Sequence, residues 1–158
     1  MDRKHILLVD DDLNLLHSLE FILEAADFRV TTETNGQKAL EKAIAAGGDK
    51  ISPIDLLITD IHMPGLSGLQ LIDELRRMNV SIPVLVITAY GDSKLREGLM
   101  RRGCPNCLDK PFYEEKLIEE VFRILGRKMD LIGNTCQREG EMKRTARAIL
   151  PGGKEKES

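Results

Sequence analysis

Four apolar runs in this sequence end in polar residues suited to one kind of chemistry. Ile6-Leu7-Leu8-Val9 runs into Asp10-Asp11-Asp12, and Leu56-Leu57-Ile58-Thr59 ends in Asp60. Val84-Leu85-Val86-Ile87 ends in Thr88, and Cys107-Leu108 is followed by Asp109 and Lys110. If these runs are parallel strands, their carboxyl ends share one rim, where ligands of open α/β sheets bind. That rim then carries at least three carboxylates, one hydroxyl and one amine. Carboxylates held together repel and shift each other's pKa unless a counter-charge is present. Oxygen donors of this kind suit Mg²⁺, which takes a few carboxylates together with water and phosphate oxygens. A carboxylate is also a nucleophile towards phosphorus. The set reads as a Mg²⁺-dependent aspartyl-phosphate site, with Thr88 bonding a phosphoryl oxygen and Lys110 neutralising charge on it.

The elements that must hold these residues follow from the apolar pattern. Residues 6–9, 28–32, 55–60, 83–88 and 107–108 read as short strands rich in Val, Ile, Leu and Thr. Continuous apolar runs are what strands covered on both faces require. Between them the period changes to a helical one. Leu15, Leu16, Leu19, Ile22 and Leu23 share a face in residues 13–25, and positions 117, 118, 121, 122 and 125 do so in residues 113–125. Further helices are expected from Gly36 to about residue 46, stopped by Gly47-Gly48, and from a Ser67 cap to about residue 78. Another is expected over residues 92–102, stopped by Gly103. The expected fold class is α/β, a (βα)5 doubly wound, five-stranded parallel sheet, for which right-handed crossovers leave few topologies.

Composition bounds the rest. A chain of 158 residues is one domain with room for a tail, and 42% apolar residues suffice for a core. Beyond Gly126 the charge balance turns basic. Residues 1–126 are therefore taken as the domain and residues 127–158 as a C-terminal extension or linker, partly disordered. Residues 139–150 are a candidate short helix weakened by Gly140. A net charge of −3, 4% aromatics and no Trp argue against direct nucleic-acid binding. The basic stretch Lys143-Arg144-Thr145-Ala146-Arg147 reads as a solvated face or linker. No apolar run approaches the ~20 residues of a membrane span, and the N-terminus lacks a signal-peptide pattern. Three cysteines make no disulfide framework, so a reducing cytoplasm is expected. Cys104-Pro105-Asn106-Cys107 has redox spacing but lies in a helix-to-strand connection, and Cys136 does not complete a zinc site. The pair reads as two small buried apolar residues. His5, His17 and His62 read as ordinary exposed or helix-face histidines.

Taken together, Ile6-Leu7-Leu8-Val9-Asp10-Asp11-Asp12, Leu57-Ile58-Thr59-Asp60-Ile61-His62-Met63-Pro64-Gly65 with Gly68, Val86-Ile87-Thr88-Ala89 and Leu108-Asp109-Lys110-Pro111-Phe112 resemble the response-regulator receiver domains of two-component signalling. The resemblance spans about residues 5–125. It implies the chemotaxis-regulator fold, flavodoxin-like with strand order 2-1-3-4-5. It implies that Asp60 accepts a phosphoryl group from a histidine kinase or phosphotransfer protein. Asp11 would bind Mg²⁺ directly, Asp10 through water, and His62 through its backbone carbonyl. Thr88 would swing towards the phosphate and Lys110 would bridge carboxylate and phosphoryl oxygen. The Lys110-Pro111 peptide is commonly cis in the family. The face built by the fourth helix, fifth strand and fifth helix, residues 92–126, would signal to a downstream protein partner or form a phosphorylation-linked homodimer. Cys107 departs from the family, which usually has Tyr or Phe there, so the aromatic part of the switch is not expected. His62 and Tyr90 would flank the path of the hydrolytic water, and their bulk predicts slow self-dephosphorylation.

Other chemistries compete for the same residues. Three carboxylates in a row also suit a helix N-terminus, and Asp12 is expected in that role. A haloacid-dehalogenase-type Mg²⁺ phosphatase wants Thr or Val where Asn14 stands, and a cap domain. A flavin carrier needs a Ser/Thr/Gly-rich phosphate loop where three aspartates stand. An inactive pseudo-receiver is disfavoured by the intact Asp11, Asp60, Thr88 and Lys110. A receiver cut from a larger transcription regulator remains the alternative. No enzymatic activity is expected beyond self-phosphorylation and self-dephosphorylation.

Overall fold

A computed structural model describes residues 3–48, 53–89, 91–126, 147–149 and 155–157. Strand β1 (His5–Val9) leads to α1 (Leu13–Ala25), β2 (Arg29–Glu33) to α2 (Gly36–Gly48), and β3 (Leu56–Asp60) to α3 (Gly68–Arg77). Then β4 (Val84–Thr88) leads to α4 (Ser93–Arg101), and β5 (Cys107–Asp109) to α5 (Glu114–Leu125) by way of β6 (Phe112–Tyr113). The sheet order is β2-β1-β3-β4-β5, all parallel, as the resemblance implies. The three central strands β1, β3 and β4 are buried throughout, whereas β2 at one edge is half-buried.

Alternate strand residues face opposite layers. Ile6, Leu8, Ile58, Leu85, Ile87 and Leu108 pack with Leu16, Leu19, Phe28 and Phe122 beneath α1 and α5. Leu7, Val9, Leu57, Val84 and Val86 pack with Ala39, Ala43, Leu71, Leu75 and Leu99 beneath α2, α3 and α4. Helices on both faces explain why the strand runs show no polar alternation.

The helix ends are chemically specified. The Asp12 side chain accepts from the backbone N–H groups of Asn14 and Leu15, which confirms its capping role. Asn35 accepts from Gln37 and Lys38 and so caps α2. Ser67 and Gln70 form a capping box on α3, and Asp92 caps α4. Each such cap contributes about 1 kcal/mol. Helices α1, α3 and α4 end in the same device. A left-handed residue (Asp27, Asn79 or Gly103) follows the cap. The next N–H, of Phe28, Val80 or Cys104, then donates back to the carbonyl of Leu23, Leu75 or Leu99. The apolar residue after the turn packs against the helix it has just left, which accounts for the burial of Cys104. Helix α2 continues to Gly48, because two glycines at a helix end weaken it without clashing.

Two sequence expectations need correction. His5 is buried rather than exposed. Its ring lies 2.7 Å from the Thr31 hydroxyl and 3.2 Å from the Pro53 carbonyl. Pro53 can only accept, so Nδ1 carries the proton and Nε2 accepts from Thr31. Burial, then the charge of Arg29, lowers its pKa. The second correction concerns the C-terminal extension. Where the candidate helix of residues 139–150 is described, at Arg147–Ile149 (β7), the backbone is a strand, and with Glu155–Glu157 (β8) and β6 it forms a three-stranded antiparallel sheet. Such short strands are set by the pairing on offer, here the Phe112–Tyr113 edge, more than by their own composition. Residues 127–146, Cys136 among them, lie outside the described residues. Among the described residues no helix is long and apolar enough to cross a membrane.

Candidate functional site

The carboxyl ends of β1, β3, β4 and β5 bring the expected residues together. Asp10 follows β1 and is 1% exposed. Its Oδ1 accepts from the Asp12 N–H at 2.9 Å. Asp60 ends β3, and its Oδ1 accepts from the Ile61 N–H at 2.7 Å. The Lys110 Nζ donates to Oδ2 of Asp10 at 3.0 Å and to Oδ2 of Asp60 at 3.2 Å. Lys110 is anchored at its backbone as well. Its N–H donates to the Thr88 carbonyl at 2.8 Å, and the peptide to Pro111 is cis. Thr88 is fully buried at the end of β4.

Asp11 is exposed beside this buried pair. One carboxylate oxygen from each of Asp10, Asp11 and Asp60 lies within 4.8 Å of the others. Three carboxylates against one ammonium leave two negative charges, which a divalent cation would balance. The donors are all hard oxygens, as Mg²⁺ requires. Electrostatics point the same way. Burial raises the Asp10 pKa, with the charge of Asp60 adding to it, and the Asp12 N–H and Lys110 offset this only in part. Burial alone would lower the Lys110 pKa, but its bonds and charge interactions with Asp10 and Asp60 outweigh that and raise it. The ammonium is therefore held charged against the carboxylates.

Gly68 explains how the end of β3 meets α3. Its N–H donates to the Ile61 carbonyl at 2.9 Å. An added Cβ would collide with the Asp60 carbonyl oxygen and approach the Ile61 Cα. Only glycine lets the helix start this close to the Asp60 backbone.

Of the remaining expected residues, His62 is exposed two residues beyond Asp60. Tyr90 lies outside the described residues. Cys107 is half-buried on β5 opposite Val86. Cys104 and Cys107 are both free thiols, and burial raises the pKa of each. Neither has the low pKa of a redox-active thiol. Sequence reasoning gave no role to Gly91, Arg96 or Asp109, which meet beside Thr88 and Lys110. Their one sequence signal is that Asp109 immediately precedes Lys110.

A doubly wound α/β sheet with an acidic, lysine-bridged crevice at its strand ends is the class this geometry defines. The family model of the response regulator receiver domain matches residues 6–122, and the chain belongs to that family. It is 34% identical over 124 residues to the transcriptional regulatory protein FixJ of Azorhizobium caulinodans, covering 77% of this chain and 55% of that protein. It is 35% identical over 122 residues to the CpxR homolog of Haemophilus influenzae, covering 77% and 50%. The chain thus spans about half the length of these relatives. Among solved structures, FixJ-N matches with TM-score 0.69 at 28% identity, over 81% of this chain and 98% of that one. A putative response regulator from Chloroflexus aurantiacus J-10-fl matches with TM-score 0.69 at 30% identity, over 80% and 100%. Residues 6–122 are thus a receiver domain of two-component signalling, and that family is a signalling module.

Proposed function

We propose that Asp60 is the phosphoacceptor of this receiver and that Asp10, Asp11, Asp60 and the His62 backbone carbonyl hold Mg²⁺. The observation that carries this is Lys110 bridging Asp10 and Asp60 at 3.0 and 3.2 Å. A carboxylate oxygen of Asp60 attacks the phosphorus of a phosphohistidine on a histidine kinase or phosphotransfer protein. The P–N bond breaks, the imidazole, already protonated on its other ring nitrogen, leaves neutral, and an acyl phosphate forms. Lys110 offsets charge on the transferring group, and the Thr88 hydroxyl donates to one of its oxygens. Bound Mg²⁺ would supply charge neutralisation to the transfer. Self-phosphorylation by small donors and self-dephosphorylation are the only reactions in this reading. The test is incubation with acetyl phosphate. A Mg²⁺-dependent gain of one phosphoryl group that is lost to base or hydroxylamine is expected. Uptake that survives chelation would contradict it.

Residues 1–126 act as the receiver and 127–158 as an extension or linker, in the cytoplasm. Phosphorylation is read out on the face of α4, β5 and α5, towards a downstream protein or a second copy of the chain. Variants on that face are expected to weaken partner contact or dimerisation more than variants on α1; an interface mapped to α1 would refute this. His62 and Tyr90 slow hydrolysis by crowding the water's approach. The phosphorylated His62→Asn/Tyr90→Ala variant is expected to decay faster than wild type in a time course, and equal or slower decay would remove this role. A second reading, a receiver that is part of a longer transcription regulator, is favoured by the relatives' names and by the half of their length that this chain spans.

A further inference from the structure

Beside the candidate site an ion pair ties the fourth helix to the fifth strand. The Arg96 guanidinium on α4 donates to Asp109 Oδ2 at 2.6 Å. The other oxygen, Oδ1, faces Gly91 so closely that a Cβ there would collide with it, and the same Cβ would lie 3.3 Å from the guanidinium. Asp109 thus meets two things at once: it packs against the backbone of Gly91, and it is bonded to Arg96 in the first turn of α4. Asp109 is also the register partner of Thr88 in the sheet. The next residue, Lys110, donates its N–H to the Thr88 carbonyl and its ammonium to Asp10 and Asp60. Cys107, on the same side of β5, feels the charges of both Arg96 and Asp109.

We propose that Arg96 and Asp109 are a positioning pair, a latch that holds α4 and the Gly91 loop in the arrangement in which Lys110 bridges Asp10 and Asp60. This rests on Asp60 being the phosphoacceptor. A phosphoryl group on Asp60 presents new oxygens to Lys110 and Thr88 and competes with the bridge. Any shift of Lys110 or Thr88 acts on Asp109, which is bonded to one and paired with the other. Coupling of this kind is reciprocal. If ligation at Asp60 strains the latch, breaking the latch favours ligation at Asp60. The two side chains are 44% and 52% exposed, so the pair shifts an equilibrium by at most about fivefold. That is enough to bias two arrangements of similar energy.

The experiment titrates beryllofluoride, a phosphoryl mimic, in saturating Mg²⁺ into the full-length wild type, Arg96→Gln, Asp109→Asn and the double variant. The charge changes oppose each other. Simple electrostatics predicts that losing Arg96 weakens binding of an anion and losing Asp109 strengthens it. The latch predicts that both single variants bind about threefold tighter and that the double variant binds no tighter than either. Hydrogen exchange of residues 93–101 without beryllofluoride should be faster in all three variants. Weaker or unchanged binding by Arg96→Gln overturns the latch while leaving the phosphoacceptor reading intact. Failure of the wild type itself to bind, with Asp60→Asn as the control, overturns both.

Discussion

Lys110→Met is expected to slow Mg²⁺-dependent phosphoryl uptake by about 10²–10³-fold, the cost of removing one pre-placed charged donor from a transferring group. The ammonium is held charged by its two carboxylate partners, so the loss is of a cation already in position. Metal binding should respond differently. Without Lys110 the cluster carries one more uncompensated negative charge, so Mg²⁺ is expected to bind no more weakly at neutral pH. The Asp10 pKa, already raised by burial, should rise further once its cationic partner is gone. Its proton then competes with the metal over a wider range on the acid side. Acetyl phosphate kinetics and a Mg²⁺ titration on the same variant separate the two effects. Parallel loss of metal binding and transfer would show that Lys110 builds the metal site instead of serving the transfer.

Phe28→Ala is expected to cost about 3–5 kcal/mol in stability, a large part of the roughly 5–15 kcal/mol available to a domain. The Phe28 ring is fully buried and lies 5.7 Å, centre to centre, from Phe122. It joins the end of α1 to α5 beneath the sheet. Its backbone N–H also closes the turn after α1 on the Leu23 carbonyl. Truncation therefore leaves a cavity at a point where two helices and a strand meet. Urea unfolding measures the loss, and Phe28→Leu should recover most of it because it refills the volume. A loss below about 1 kcal/mol for Phe28→Ala would mean that the cluster collapses onto the gap.

Asp60, Thr88 and Lys110 were legible in the sequence because each follows an apolar run. The doubly wound topology then takes every such residue to the same rim. The sheet order followed from the resemblance, and the continuous strand runs fit its two-sided burial. Less legible were features made by residues distant in sequence. Asp27 and Asn79 take the left-handed turn after α1 and α3 although neither is glycine, so no glycine stop marked those ends. His5 looks ordinary in sequence because its partners, Thr31 and Pro53, come from β2 and the segment before β3. Arg96 and Asp109 are 13 residues apart and meet only through the packing of α4 on β5. The strand at 147–149 depends on a partner edge at Phe112–Tyr113, and the strand at 155–157 on that at 147–149, pairings that local composition does not reveal.

The most direct test of the central claim is to map the phosphate after acetyl phosphate and Mg²⁺ treatment of the wild type and of Asp60→Asn. One acyl phosphate on the peptide containing Asp60, and none in the variant, is the predicted result. Stoichiometric acyl phosphate in Asp60→Asn, or phosphate on Asp10 or Asp11 in the wild type, would contradict it.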